Sequence, residues 1–160
     1  MTIKVGDKIP SVKLKQMTPE GMKDVQTDEF FKGKKVVLFA LPGAFTPTCS
    51  AKHLPGFVEK AAEIKSKGVD TIACLSVNDA FVMNAWGKEQ KADGKVQMLA
   101  DGNGDFTRAV GRELDGSGYG LGKRSQRYAM LVDDGTVKLL NVEKPGAFEV
   151  SSAETVLKAL

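Results

Sequence analysis

Residues 36–41 read Val-Val-Leu-Phe-Ala-Leu without a polar break. A run this short and this apolar is a strand buried on both faces, which demands a sheet covered by helices above and below. Val69–Val77 is a second such run and Val96–Ala100 a third. Helical patterns separate them. From Thr46 to about Lys67, residues Ala51, Leu54, Phe57, Val58, Ala61 and Ile64 recur at helical spacing, Pro55 predicts a kink and Gly68 a stop. Asn78-Asp79 then caps a helix carrying Phe81, Val82, Ala85 and Trp86, and Phe106, Ala109 and Val110 mark a shorter one.

The ends of the chain follow other rules. Val12–Lys15 and Met22–Val25 pair across a Pro19-Glu20-Gly21 turn, and Thr27–Phe31 forms one capped helical turn. Tyr128–Val132 and Thr136–Val142 flank Asp133-Asp134-Gly135, a strong hairpin signal, and Ser151-Ser152-Ala153-Glu154 opens a last helix. Asp115–Gly122, in which every second residue from Gly116 is glycine, reads as a flexible loop. Three strand-then-helix units followed by a hairpin and a helix imply an α/β fold of thioredoxin-like type, a central mixed β-sheet flanked by helices on both faces. The 160 residues form a single domain, 1–160, large enough to bury its own core.

The first buried strand runs directly into Pro42-Gly43-Ala44-Phe45-Thr46-Pro47-Thr48-Cys49. Thr46 suits an N-cap and Pro47 the first helical position, where its missing N–H is no loss. Cys49 is then the third helical residue, beside free backbone N–H groups and the positive end of the macrodipole, which favour a thiolate. The dipole contributes at most ~2 kcal/mol, and a guanidinium within ~4 Å adds up to ~4 kcal/mol before desolvation is subtracted. A fully ionised Cys49 therefore needs a cation from elsewhere, and Arg124 and Arg127, where a loop enters a strand, both qualify. Cys74 lies mid-strand among apolar neighbours and reads as core. His53, the only histidine, stands four residues after Cys49 and allows a thiol hydrolase, but more simply reads as a hydrogen-bonded helix residue.

Other chemistries are excluded. Lys and Arg outnumber Asp and Glu by 23 to 20 with signs interspersed, too slight a bias for nucleic acid. No run approaches the roughly 18 apolar residues of a membrane helix. Asp101-Gly102-Asn103-Gly104-Asp105 fails as a calcium loop, because Phe106 and Arg112 stand where glycine and glutamate are needed. Two cysteines and one histidine supply no structural zinc site, and Cys-x-x-Cys is absent. No metal or organic cofactor is expected. Two cysteines with no apolar leader at the start predict free thiols in a reducing compartment, cytoplasm by default.

Pro42-x-x-x-Thr46-x-x-Cys49 resembles the active-site signature of the peroxiredoxins, in particular their type II or peroxiredoxin-five branch. The likeness extends through Lys4-Val5-Gly6-Asp7, His53-Leu54-Pro55-Gly56-Phe57, Cys74-Leu75-Ser76-Val77-Asn78-Asp79 and Arg127-Tyr128-Ala129-Met130. It implies a thiol-dependent peroxidase acting on hydrogen peroxide and alkyl hydroperoxides. Cys49 would be the peroxidatic thiolate, oxidised to a sulfenic acid. Thr46 would hydrogen-bond thiolate and peroxide, Pro42 would shield the sulfur, and Arg127 would polarise the peroxide with Arg124 supporting it. The backbone N–H groups of Thr48 and Cys49 would complete the donors. Val142–Leu160 lacks the resolving cysteine that some members carry there. The resemblance therefore implies reduction by an external thiol, namely glutathione, glutaredoxin or thioredoxin. It also implies a homodimer through loops near the active site, and Phe45 and Trp86 suit either such an interface or the core equally well. A redox sensor passing oxidation to a partner protein is the alternative.

Overall fold

The computed structural model describes residues 2–160. Among them, seven strands form one mixed sheet in the order β2-β1-β5-β4-β3-β8-β9. The strands are β1 (Lys13–Thr18), β2 (Gly21–Gln26), β3 (Lys35–Ala40), β4 (Thr71–Ser76), β5 (Gln97–Ala100), β8 (Tyr128–Asp133) and β9 (Thr136–Val142). The three apolar runs of the sequence are its parallel centre: β3 pairs with β4, and β4 with β5, in parallel. The hairpins supply the antiparallel flanks, β1 on β5 and β8 on β3. Asp134 and Gly135 turn the β8–β9 hairpin at φ values of 48° and 80°, the left-handed pair that the Asp-Gly signal predicts.

Helices cover both faces, as the continuous apolar strands require. On one face α2 (Leu54–Glu59), α3 (Ala61–Ser66), α4 (Ala80–Glu89) and α6 (Ala153–Lys158) bury Leu54, Phe57, Ile64, Met83, Trp86 and Val156 against Val37, Phe39, Cys74 and Ala129. On the other, α1 (Thr27–Phe31) and α5 (Asp105–Ala109) bring Phe31 and Phe106 to Leu38, Ala40, Leu75 and Tyr128. Residues alternate between the two clusters along β3 and β8, the period-two signature of a sheet. Asp79 caps α4 by accepting from Val82 N, and Ser152 caps α6 by accepting from Thr155 N. The acidic loop at Asp101 also turns out to be a cap: its carboxylate accepts from Phe106 N, Thr107 N and Thr107 Oγ1.

Two expectations need correction. The continuous helix predicted from Thr46 to Lys67 is three pieces: a helical entry from Pro47 that widens into a π-turn over Cys49–His53, then α2, then α3 after a break at Lys60. Pro55 does not kink a helix midway; it sits in the first turn of α2. Lacking an N–H and crowding the carbonyl four residues back, it favours a widened turn before it, and Leu54 N instead reaches Cys49 O. The glycine-rich loop is also more ordered than expected. β6 (Glu113–Asp115) and β7 (Lys123–Ser125) pair antiparallel, and a 3₁₀ turn at Ser117–Tyr119 joins them. These strands are short and polar, so no hydrophobic alternation announces them.

Candidate active site

The site forms beyond the carboxyl ends of the parallel strands, the usual ligand position of open α/β sheets. After β3 the chain turns through Pro42–Phe45. Asn78, just past β4, accepts Ala44 N at 2.9 Å and Ser76 Oγ at 2.6 Å, tying the turn to the neighbouring strand end. Phe45 holds a φ of 64°, strained for a bulky side chain, and delivers Thr46 to the helix start. Thr46 O accepts the first helical bond, from Ser50 N at 2.9 Å, so Thr46 occupies the N-cap position as predicted. Its hydroxyl does not cap. Thr46 Oγ1 donates to Gly43 O at 2.7 Å, which leaves the oxygen lone pairs as acceptors.

Cys49 and Cys74 are free thiols, both fully buried. Arg127 reaches Cys49 from across the sheet, its Nη2 donating to Sγ at 3.1 Å. Sheet register explains the reach. Ala40 pairs with Tyr128, which sets Arg127 beside the end of β3, and alternation puts Arg127 on the same face as Ala129 and Cys49. Arg124 does not approach the sulfur. Its Nη1 donates to Pro42 O at 3.2 Å and its Nε to Leu121 O at 3.0 Å, so it braces the turn that carries Pro42 and Gly43. The N–H groups of Thr48 and Cys49 fall within the helix's first turn, where no carbonyl precedes them to accept.

His53 is no base for Cys49. Its Nδ1 accepts from Arg127 Nη1 at 2.8 Å, and its Nε2 donates to Ser151 O at 3.0 Å. The ring lies against Phe39, Phe57 and Phe148 at centroid distances of 4.9, 5.7 and 5.0 Å, while Phe39 and Phe57 stack at 4.0 Å. That burial, reinforced by the Arg127 charge and opposed by the Ser151 carbonyl, pulls the imidazole down to about 3. It is neutral at physiological pH with both nitrogens engaged, which removes the Cys–His hydrolase reading. One flat guanidinium thus bridges the histidine and the cysteine. The fork geometry suits two acceptors one helical turn apart.

Cys74 lies inside the sheet, opposite Phe39 in register. Burial pushes its thiol well up; neighbouring Cys49 adds to this and Arg127 opposes it. It belongs to the core, as expected. Trp86 is core as well rather than surface, fully buried with Nε1 donating to Ser50 Oγ at 3.0 Å. Sequence reasoning missed three contributors: His53 as the partner of Arg127, Asn78 as the anchor of the turn, and Glu143, which binds the Ser151 segment. Only His53 carried a signal, its spacing from Cys49.

A buried cysteine at a helix start, crossed by a guanidinium on a thioredoxin-like sheet, defines a thiol-based redox enzyme. The chain belongs to the Redoxin family, whose model matches residues 4–157, and within it is a peroxiredoxin, a thiol-dependent peroxidase. It is 56% identical over 163 residues to Peroxiredoxin-2E, chloroplastic, of Arabidopsis thaliana, covering 99% of this chain and 70% of that protein. Peroxiredoxin-2B of the same plant is 52% identical over 159 residues, covering 99% of this chain and 98% of its own. Among solved structures, reduced Prx3 in complex with H2O2 from Vibrio vulnificus matches with a TM-score of 0.96 at 57% identity, over 99% of each chain.

Proposed function

We propose that Cys49 is the peroxidatic residue and that an external thiol completes the cycle. The Arg127 Nη2–Sγ contact of 3.1 Å carries this reading, because it places fixed positive charge where the attacking sulfur is anionic. The thiolate attacks one oxygen of hydrogen peroxide or an alkyl hydroperoxide, the O–O bond breaks, and the sulfur becomes a sulfenic acid as hydroxide or alkoxide leaves. Thr46 Oγ1, its proton committed to Gly43 O, accepts the peroxide's O–H rather than donating to the thiolate. The free N–H groups of Thr48 and Cys49 and the unused donors of Arg127 face the developing oxyanion. In this reading Pro42 shields the sulfur, and Arg124 holds the turn that carries it through the Pro42 carbonyl.

The sulfenic acid then condenses with a thiol, such as glutathione, glutaredoxin or thioredoxin, losing water to form a mixed disulfide. A second thiolate cleaves that disulfide and restores Cys49. The burial of Cys49 supports a small oxidant, and it means that the larger reductant reaches the sulfur only after the π-turn opens. The core position of Cys74 supports external resolution. Half-exposed Phe45 in the active-site turn and exposed Phe81 in the first turn of α4 support a homodimer. Two free thiols and thiol reductants suit a reducing, cytoplasmic setting. The test is peroxide consumption with a thiol donor, together with protein mass after one equivalent of peroxide. Wild type should turn over and gain one oxygen or a thiol adduct at Cys49; a Cys49→Ser variant that keeps the wild-type rate overturns the assignment.

A further inference from the structure

Arg127 is held in place by a chain of contacts that runs away from the sulfur, and it ends on a carboxylate that the sequence does not single out. His53 Nδ1 takes Arg127 Nη1, His53 Nε2 gives to Ser151 O, and Ser151 is itself fixed by Glu143. Glu143 Oε2 accepts from Ser151 N at 2.8 Å, Ser151 Oγ at 2.7 Å, Val150 N at 2.9 Å and Glu149 N at 2.8 Å. Glu143 is also the cross-strand neighbour of Arg127, donating its N–H to Arg127 O at 2.9 Å. Its carboxylate does not pair with that arginine directly; among the described residues no ion pair joins them.

We propose that Glu143 is a positioning residue for the peroxide step, acting through Ser151 and His53 to set the direction of the Arg127 guanidinium. One oxygen gathering four donors makes a rigid knot at residues 149–151. The knot fixes two things at once. It sets the Ser151 carbonyl, which holds the tautomer and plane of His53. It also sets the loop that seats Phe148, whose ring lies 5.0 Å from that of His53 and 5.8 Å from Arg127 Cζ. Burial works to raise the Glu143 carboxyl, but the Ser151, Glu149 and Val150 donors outweigh it and hold it below the usual carboxylate range, so the knot stays charged. With the knot loosened, His53 turns and Arg127 loses its second anchor. Small misplacements of such a donor are costly to rate.

The inference rests on Cys49 being the peroxidatic residue, and its test separates the two. Reduced protein is mixed with hydrogen peroxide in single-turnover stopped flow, comparing wild type, Glu143→Gln, Arg127→Ala and the double variant. If wild type shows no peroxide step at all, the peroxidatic assignment has failed rather than this one. The expected result is a loss of about tenfold or more on Glu143→Gln. That loss disappears when Arg127 is already alanine, because the knot then has nothing left to aim. A purely structural role would give equal losses in both backgrounds. Equal losses, or a Glu143→Gln rate within about twofold of wild type, overturn the proposal. Should Glu143→Gln not fold, Ser151→Ala removes only the hydroxyl bond and must show the same pattern at about threefold, the scale of one hydrogen bond. Because His53 is the only histidine, its ring 15N–1H signal gives an activity-free readout. Glu143→Gln must shift the Nε2–H resonance, and an unmoved resonance counts against the relay.

Discussion

The enclosure of His53 makes the stability of this protein depend on pH in a calculable way. In the unfolded chain the imidazole has its ordinary value of 6.5, and in the fold it is held down to about 3. Between these limits the unfolded state binds a proton that the folded state refuses, so stability is complete above pH 6.5 and drains away as the pH falls toward 3. From pH 7 to pH 5 the unfolded chain gains nearly the whole proton advantage over about 1.4 pH units, worth about 2 kcal/mol at 1.36 kcal/mol per unit. Titration through the entire window would cost about 5 kcal/mol, a large share of the stability of a domain this size.

The perturbation that isolates this effect is His53→Gln. A glutamine amide can accept from Arg127 and donate to Ser151 O, preserving both hydrogen bonds while removing the titrating ring. Its absolute stability will drop, because the tilted contact with Phe39 and the edge-on contact with Phe148 are lost. The slope with pH is therefore the quantity to compare. Urea unfolding at pH 7 and pH 5 should show wild type losing about 2 kcal/mol more than His53→Gln over that interval. Parallel losses within about 0.5 kcal/mol would refute the reasoning, as would a ring NMR titration of His53 with a midpoint near 6.5. The carboxylates are common to both proteins, so their contribution cancels in the difference.

Two further outcomes follow from the same geometry. Arg127→Lys keeps a charge but has no fork to span His53 Nδ1 and Cys49 Sγ, so the single-turnover peroxide rate should fall about a hundredfold. Cys74→Ser should leave turnover with an external thiol within about twofold and cost about 1–3 kcal/mol on urea unfolding, since it buries a hydroxyl in an apolar strand. Turnover lost with every thiol tested would instead make Cys74 a resolving residue.

The sheet was legible in the sequence because each strand carries its own signal. Continuous apolar runs mark strands covered on both faces, and Asp134-Gly135 marks a turn that needs left-handed backbone at both residues. The helix after Cys49 was legible in its start, since Thr46 and Pro47 act locally, but not in its course. The widening at Cys49–His53 answers to Pro55 and to packing at once, and periodicity alone cannot weigh them. Cys49 itself was plain from its turn. Its arginine was not: Arg124 and Arg127 stand three residues apart at a strand entry, and composition does not tell them apart. What decides is placement: parity in the main sheet, fixed by pairings more than 80 residues apart in the chain such as Ala40 with Tyr128, puts Arg127 on the Cys49 face, whereas Arg124 lies in β7 of the separate small sheet.

Parity also explains Glu143. The β8–β9 ladder pairs Val132 with Val137 but Leu131 with Leu139, so exposed Lys138 is an extra residue bulged out of β9. Without that bulge the register would put Val142, not Glu143, opposite Arg127, and every β9 side chain beyond it would change faces. Glu143 would then point toward the Tyr128 side of the sheet, away from Ser151. Val142 would stand on the Cys49 face with nothing to offer the 149–151 backbone. One surface lysine near a hairpin turn thus determines which residue stands opposite Arg127 at the far end of the strand. Bulges are features of the fold rather than defects in it, and this one is needed for the carboxylate, the histidine and the guanidinium to meet on one face.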